Sequence, residues 1–156
     1  MMKNTLGISG TTVILRIDIG IFCCRGSVAM VKILHVEDNA TQRELVQRLL
    51  EMELQDCQMK FAGNGSEGLT CAESWHPDVI LMDLRMPGMD GFEAIAALKA
   101  SPATVDIPII AISAWSNVQN EERALTLGAN QCIVKPFDLD EVMRAINACL
   151  STRRTI

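Results

Sequence analysis

The sequence predicts an α/β fold: a doubly wound sheet of five parallel strands with five helices. Three observations predict it. Short apolar runs of strand length alternate with amphipathic stretches of helix length from Met30 onward. Four of those stretches open on an Asn or Asp followed three residues later by Glu or Gln. Strict strand–helix alternation brings successive strands in parallel, joined by right-handed crossovers.

Composition agrees. A chain of 156 residues suits one domain with a real core. It is 49% hydrophobic and 21% charged, which excludes a disordered chain. Tyrosine is absent and aromatics are 4%, so aliphatic side chains and methionine must fill the core. The net charge is -5 and no Lys/Arg-rich run occurs, so the basic footprint of a nucleic-acid binder is missing. Six cysteines (Cys23, Cys24, Cys57, Cys71, Cys132, Cys149) have neither CxxC spacing nor nearby histidines. They read as reduced thiols of a cytoplasmic protein, not as a zinc site or a secreted disulfide framework.

The first strand is Val31–Val36, and a helix follows near 40–54. There Leu45, Leu49, Leu50 and Met52 form an apolar stripe, with Arg43, Glu44 and Arg48 toward water. A weaker strand, Cys57–Ala62, precedes a helix near 65–75. Val79–Met82 precedes a helix near 91–100, Ile107–Ile112 one near 117–127, and Cys132–Val134 one near 139–151. The capping pairs are Asn39/Gln42, Asn64/Glu67, Asp90/Glu93 and Asp138/Glu141.

Residues 1–29 read differently. Their apolar stretch, Val13 to Cys24, is interrupted by Arg16 and Asp18 and is too short to cross a bilayer. Those internal charges also make it a poor signal peptide. Translation starting at Met30 explains the segment; a membrane-associated or partner-binding tail is the alternative. The fold is therefore expected over 30–152, with residues 1–29 outside it and 153–156 a short tail. No membrane insertion is expected.

In open parallel sheets, ligands bind beyond the carboxyl ends of the strands. The first strand ends in Glu37-Asp38, the third in Asp83, the fourth in Ser113 and the fifth in Lys135-Pro136. An acid at one strand end is commonly a helix cap. Polar groups at four strand ends point to a shared site. Three carboxylates at close quarters repel, and hard oxygen ligands suit Mg²⁺, which keeps waters and leaves room for phosphate oxygens. An Asp beside such a metal can attack phosphorus and form an acyl phosphate. Lys135 and the Ser113 hydroxyl would meet the phosphoryl oxygens from the other side.

"LHVEDN", "DVILMDLRMPGMDGFE", "PIIAISA" and "GANQCIVKPF", in this order and spacing over residues 30–152, resemble the receiver domain of two-component response regulators. The resemblance implies a flavodoxin-like sheet of order 2-1-3-4-5. It implies Asp83 as acceptor of a phosphoryl group from a histidine kinase or histidine phosphotransfer protein. It further implies Mg²⁺ on Asp38, Asp83 and the Arg85 backbone carbonyl, with Glu37 acting through water. Ser113 and Lys135 would bind the phosphoryl group, and Lys135–Pro136 would be cis.

The chain departs from the family pattern at Cys132, three residues before Lys135, where receivers usually carry a Tyr or Phe whose rotamer reports phosphorylation. The acid pair Glu37-Asp38 is a common variant. Trp115 and Arg85, two residues after Ser113 and Asp83, are expected to flank the phosphate; Trp115 would screen it from water or simply rest on the loop. His35 reads as a packing residue inside the first strand, and His76 as a loop residue. Met82, Met86 and Met89 read as packing and loop residues rather than a metal box.

The expected function is a stand-alone cytoplasmic receiver acting on a downstream protein effector, as a monomer or a phosphorylation-dependent dimer. Only "STRRTI" follows the last helix, which suggests no attached output domain. The alternative is a degenerate receiver that binds proteins without phosphorylation. An aspartyl phosphatase of the haloacid-dehalogenase type would need an acid where Arg85 stands. A P-loop enzyme would need a GxxxxGK[ST] run that the chain lacks.

Overall fold

Period-two alternation sorts the strand side chains between two helical layers. The structure is a computed structural model describing residues 30–54, 56–114 and 117–153. In chain order it contains β1 (Val31–Val36), α1 (Ala40–Glu53), β2 (Cys57–Ala62), α2 (Gly65–Trp75) and β3 (Val79–Asp83). There follow α3 (Gly91–Ala100), β4 (Ile109–Ser113), α4 (Val118–Leu127), β5 (Gln131–Val134) and α5 (Leu139–Arg153). The strands form one parallel sheet in the order β2-β1-β3-β4-β5, the flavodoxin-like topology expected.

Leu34, Val36, Ile80, Met82, Ile109 and Ala111 pack against Ala72, Ile95, Leu98 and Ala124 of α2, α3 and α4. Ile33, Leu81, Ile110, Ile112 and Ile133 pack on the opposite side against Val46 and Leu50 of α1 and Val142 and Ile146 of α5. The central strands β3 and β4 are buried along their whole length, whereas the edge strand β2 alternates. β4 begins two residues after the apolar run does. Ile107 belongs to the preceding turn, its N–H donating to the Thr104 carbonyl.

α1 buries Leu50 of the stripe the sequence suggests, but not its outer members. Val46, Leu50 and Leu54, four residues apart, are buried, whereas Leu45 is 57% and Met52 77% exposed. Nor does Arg43 simply face water: its guanidinium donates to the Glu37 carbonyl at 2.8 Å. Two apolar lines run side by side on this helix, and the one holding Val46, Leu50 and Leu54 packs on the sheet.

The capping signals also resolve unequally. Asp90/Glu93 makes the full reciprocal capping box at α3. Asn39 accepts from the N–H groups of Thr41 and Gln42, but its own N–H donates to Glu37 Oε1. Asn64 accepts from Glu67 N–H, while the Glu67 carboxylate takes the Gly63 N–H. Asp138 accepts from Glu141 N–H at 2.7 Å. His76 ends α2 in the left-handed region, φ 50°. Met82 and Met86 are buried in the core and Met89 packs against it, as expected. No helix among the described residues is long and apolar enough to cross a membrane.

Candidate functional site

The order of the sheet reverses at β1, which lies between β2 and β3. Register then decides what meets beyond the strand ends. Val36 lies opposite Met82, Asp83 opposite Ile112, and Ser113 opposite Val134. The next residues along β1 and β5, Glu37-Asp38 and Lys135, are therefore carried to the same edge as Asp83 and Ser113.

One carboxylate oxygen from each of Glu37, Asp38 and Asp83 lies within 4.8 Å of the others. Lys135 Nζ donates to Asp83 Oδ2 at 2.8 Å, to Glu37 Oε2 at 3.0 Å and to Gln42 Oε1 at 2.5 Å. These groups come from β3, from α1 and from the residues just past β1 and β5, with 98 residues separating Glu37 from Lys135. Glu37 and Asp83 are buried, and Asp38 is exposed at the mouth. Ser113 is buried at the end of β4, and its carbonyl accepts the Lys135 backbone N–H at 2.7 Å. Arg85 folds its backbone over the acid, its N–H donating to Asp83 Oδ1 at 2.7 Å. The Lys135–Pro136 peptide is cis.

Electrostatics follow from this crowding. Burial pushes the Glu37 carboxyl up to about 7; the hydrogen bond shared with Asp83 adds to the rise, against Lys135 and the Asn39 amide. Burial opposes the charge on Lys135, but its bonds to Asp83 and Glu37 outweigh that and hold its pKa above the usual value. Two buried carboxylates thus share one partly exposed ammonium, and negative charge remains to be balanced. Three hard oxygen donors open to solvent at Asp38 suit a small divalent cation such as Mg²⁺. The residues present fit that metal.

This arrangement is that of a known family. The profile of the response regulator receiver domain matches residues 33–147. The chain belongs to the response regulator receiver domain family. Receiver domains are phosphoryl-accepting signalling modules of two-component systems, and they bind Mg²⁺ in an acidic site.

Among its relatives, this receiver domain is 33% identical to Protein PilH of Pseudomonas aeruginosa, over 78% of this chain and 99% of PilH. It is 34% identical to the DNA-binding transcriptional regulator RpaA of Synechocystis, over 81% of this chain but 51% of RpaA. The chain thus spans about half the length of that relative, and 26% of the Escherichia coli regulatory protein AtoC. Among solved structures, the receiver domain of a Pseudomonas aeruginosa sensor histidine kinase, with magnesium coordinated in its active-site cleft, superposes with a TM-score of 0.72. It is 29% identical, over 79% of this chain and 99% of that one. The Vibrio cholerae chemotaxis protein CheY4 gives 0.72 at 28% identity, over 78% of this chain and 100% of its own.

The receiver also contains site residues that the sequence reading missed. Gln42 was assigned to the α1 cap; its side chain instead supplies the third acceptor for Lys135. Its position one turn into the helix after Glu37-Asp38 was the available signal. Gly91 lets α3 start against the end of β3: a Cβ there would lie 2.2 Å from the Asp83 carbonyl oxygen. Cys132 stands half-buried in β5 beside Ala111, its thiol pushed up to about 11 by burial and, secondarily, by Glu121. Trp115 lies outside the described residues, as do 1–29 and 154–156. Arg153 still belongs to α5 and donates to the Asp78 carbonyl at 3.3 Å.

Proposed function

We propose that this receiver domain takes a phosphoryl group onto Asp83 from the phosphohistidine of a histidine kinase or histidine phosphotransfer protein. It then signals through protein–protein contacts in the cytoplasm. The observation that carries this reading is the Lys135 ammonium held across the sheet edge by Asp83 and Glu37 at 2.8 and 3.0 Å. A fixed cation beside a buried, strand-terminal carboxylate is what an incoming phosphoryl group needs, since its transfer is mostly positioning and charge neutralisation.

In the proposed step an Asp83 carboxylate oxygen forms the new bond to phosphorus. The phosphorus–nitrogen bond of the donor breaks, and its electron pair returns to the imidazole. Lys135 leaves its carboxylate partners to hold a phosphoryl oxygen, and the Ser113 hydroxyl holds another. Glu37, Asp38, Asp83 and the Arg85 backbone carbonyl would hold Mg²⁺, which when bound offsets charge on the carboxylates and the phosphoryl oxygens. Water attack on the acyl phosphate later returns Asp83 and inorganic phosphate. Similarity along 99% of PilH supports action as a stand-alone receiver, monomeric or dimerising on phosphorylation.

A second reading rests on Cys132. With a thiol in place of the usual aromatic, the rotamer signal of the family has no carrier, and a phosphorylation-independent binding module becomes the competing function. Intact mass after incubation with a small acyl phosphate, with and without Mg²⁺, separates the two. A Mg²⁺-dependent phosphoryl adduct on wild type, absent from Asp83→Asn, supports the switch. A folded wild-type protein without adduct supports the binding module.

A further inference from the structure

The sheet is left open along β2. This is an edge strand, with β1 on one side and no strand beyond it among the described residues. The Val31 and Glu37 N–H groups donate to the Asp56 and Ala62 carbonyls, so the even-numbered residues of β2 turn their backbone groups toward β1. Cys57, Met59 and Phe61 therefore turn theirs outward. Their side chains are half-buried, and Cys57 and Met59 pack against the core under α1 and α5. On the opposite face Lys60 is exposed, its ammonium 5.0 Å from the Trp75 ring centroid. No carboxylate pairs with Lys60 among the described residues. An apolar edge with outward N–H and C=O groups is a template for another strand.

The chain carries a segment that matches this edge. Residues 13–22 read VILRIDIGIF, in which Leu15, Ile17, Ile19 and Ile21 alternate with Arg16, Asp18 and Gly20. That is the period of a strand with one apolar face. Met30, at the entry to β1, lies beside β2, its Sδ 4.0 Å from Gln58 Nε2. A strand beyond β2 would stand two inter-strand spacings from β1, about 10 Å. Residues 23–29 can reach about 23 Å, and Gly26-Ser27 within them suits a turn. A parallel strand would end at the far edge of the sheet and need a crossover far longer than this, so only the antiparallel direction fits. Charge then selects the register. With Asp18 opposite Lys60, Ile17 meets Phe61, Ile19 meets Met59 and Ile21 meets Cys57. A one-residue slip turns Asp18 onto the apolar face. A two-residue slip sets Arg16 against Lys60 or leaves Asp18 opposite Ala62.

We propose that residues 15–21 dock on β2 as a further, antiparallel edge strand, with Asp18 paired to Lys60 and the isoleucines beside Cys57, Met59 and Phe61. The docked segment closes an edge that another chain could otherwise extend. The proposal stands apart from Asp83 phosphorylation, because no residue of that site lies on the outer edge of β2.

The test is nuclear magnetic resonance on the isotopically labelled full chain. Antiparallel pairing in this register brings the Asp18 and Lys60 Hα protons together, so a nuclear Overhauser effect between them is expected. In Ile19→Pro the segment loses the N–H that would donate to the Met59 carbonyl. The Asp18–Lys60 effect should then vanish, and the Met59 N–H should exchange with solvent about tenfold faster. Asp18→Lys should speed that exchange about fivefold, and Asp18→Lys combined with Lys60→Asp should restore it. A wild-type chain without the Asp18–Lys60 effect overturns the proposal, as does Met59 exchange equal in wild type and Ile19→Pro. An effect seen only between chains, in a sample mixing labelled and unlabelled protein, assigns the edge to a second copy and overturns it as well. The Overhauser effect is read on wild type, so the test survives if a variant does not fold.

Discussion

Replacing Gly91 with alanine should disturb both the fold and the chemistry, because one methyl group has nowhere to go. Gly91 begins α3 directly against the end of β3, and its N–H donates to the Leu84 carbonyl at 3.2 Å. A Cβ there would lie 2.2 Å from the Asp83 carbonyl oxygen and 2.6 Å from Leu84 Cα. Both obstacles are backbone, so no rotamer change relieves the contact. Restoring ordinary van der Waals separation requires the start of α3 to move by about 1 Å. Overpacking of this kind costs about 1–3 kcal/mol, and with backbone on both sides the upper end is expected. The same movement shifts Asp83 and Arg85 against Glu37 and Lys135, and about 1 Å of misplacement can slow a positioned reaction about 100-fold.

Urea denaturation followed by circular dichroism gives the first quantity, and the rate of Mg²⁺-dependent phosphorylation by a small acyl phosphate gives the second. Gly88→Ala is the control. It has open space around the new methyl but a φ of 76°, so it should cost about 1 kcal/mol with phosphorylation near the wild-type rate. A Gly91→Ala protein as stable as Gly88→Ala, or phosphorylated as fast as wild type, would refute the reasoning.

Three further predictions follow from the site and its supports. The Glu37 carboxyl titrates near 7 in the fold against 4.5 in the unfolded chain, so its contribution to stability is complete below 4.5 and lost as pH rises through 7. About 3 kcal/mol is at stake in all, and about 1 kcal/mol of it falls between pH 6.5 and 8.5. Urea titrations in EDTA should therefore show wild type weakening over that interval, with the trend reduced in Glu37→Gln. An equal slope in the variant would remove Glu37 as the cause. Gln42→Ala leaves Lys135 its two carboxylates and should cost about 1–2 kcal/mol in the same assay; no change would show that the Gln42 bond is immaterial. Asp90→Ala breaks the α3 capping box and should cost about 1 kcal/mol, read as a lower thermal midpoint.

Much of the molecule is written locally. Strand–helix alternation, helix starts and strand ends depend on residues within a few positions of one another, so the five strands and five helices were legible to within a residue or two. The four separated motifs named the residues that now stand at one sheet edge, because parallel strands must all end on the same side.

Other features depend on contacts between distant residues. In α1 the stripe Leu45, Leu49, Leu50 and Met52 overlaps the line Val46-Leu50-Leu54 at Leu50, and only docking on the sheet buried the second. Gln42 and Glu67 have capping-box spacing, yet Lys135 and the Gly63 N–H respectively claim their side chains. By itself, then, the sequence determined the order of the elements and which polar groups end the strands, since both follow from short-range periodicity and capping. Tertiary structure decided which face of each helix is buried and how the Lys135 ammonium is shared. Those outcomes are set by packing and charge between segments up to 98 residues apart, and local pattern carries no record of them.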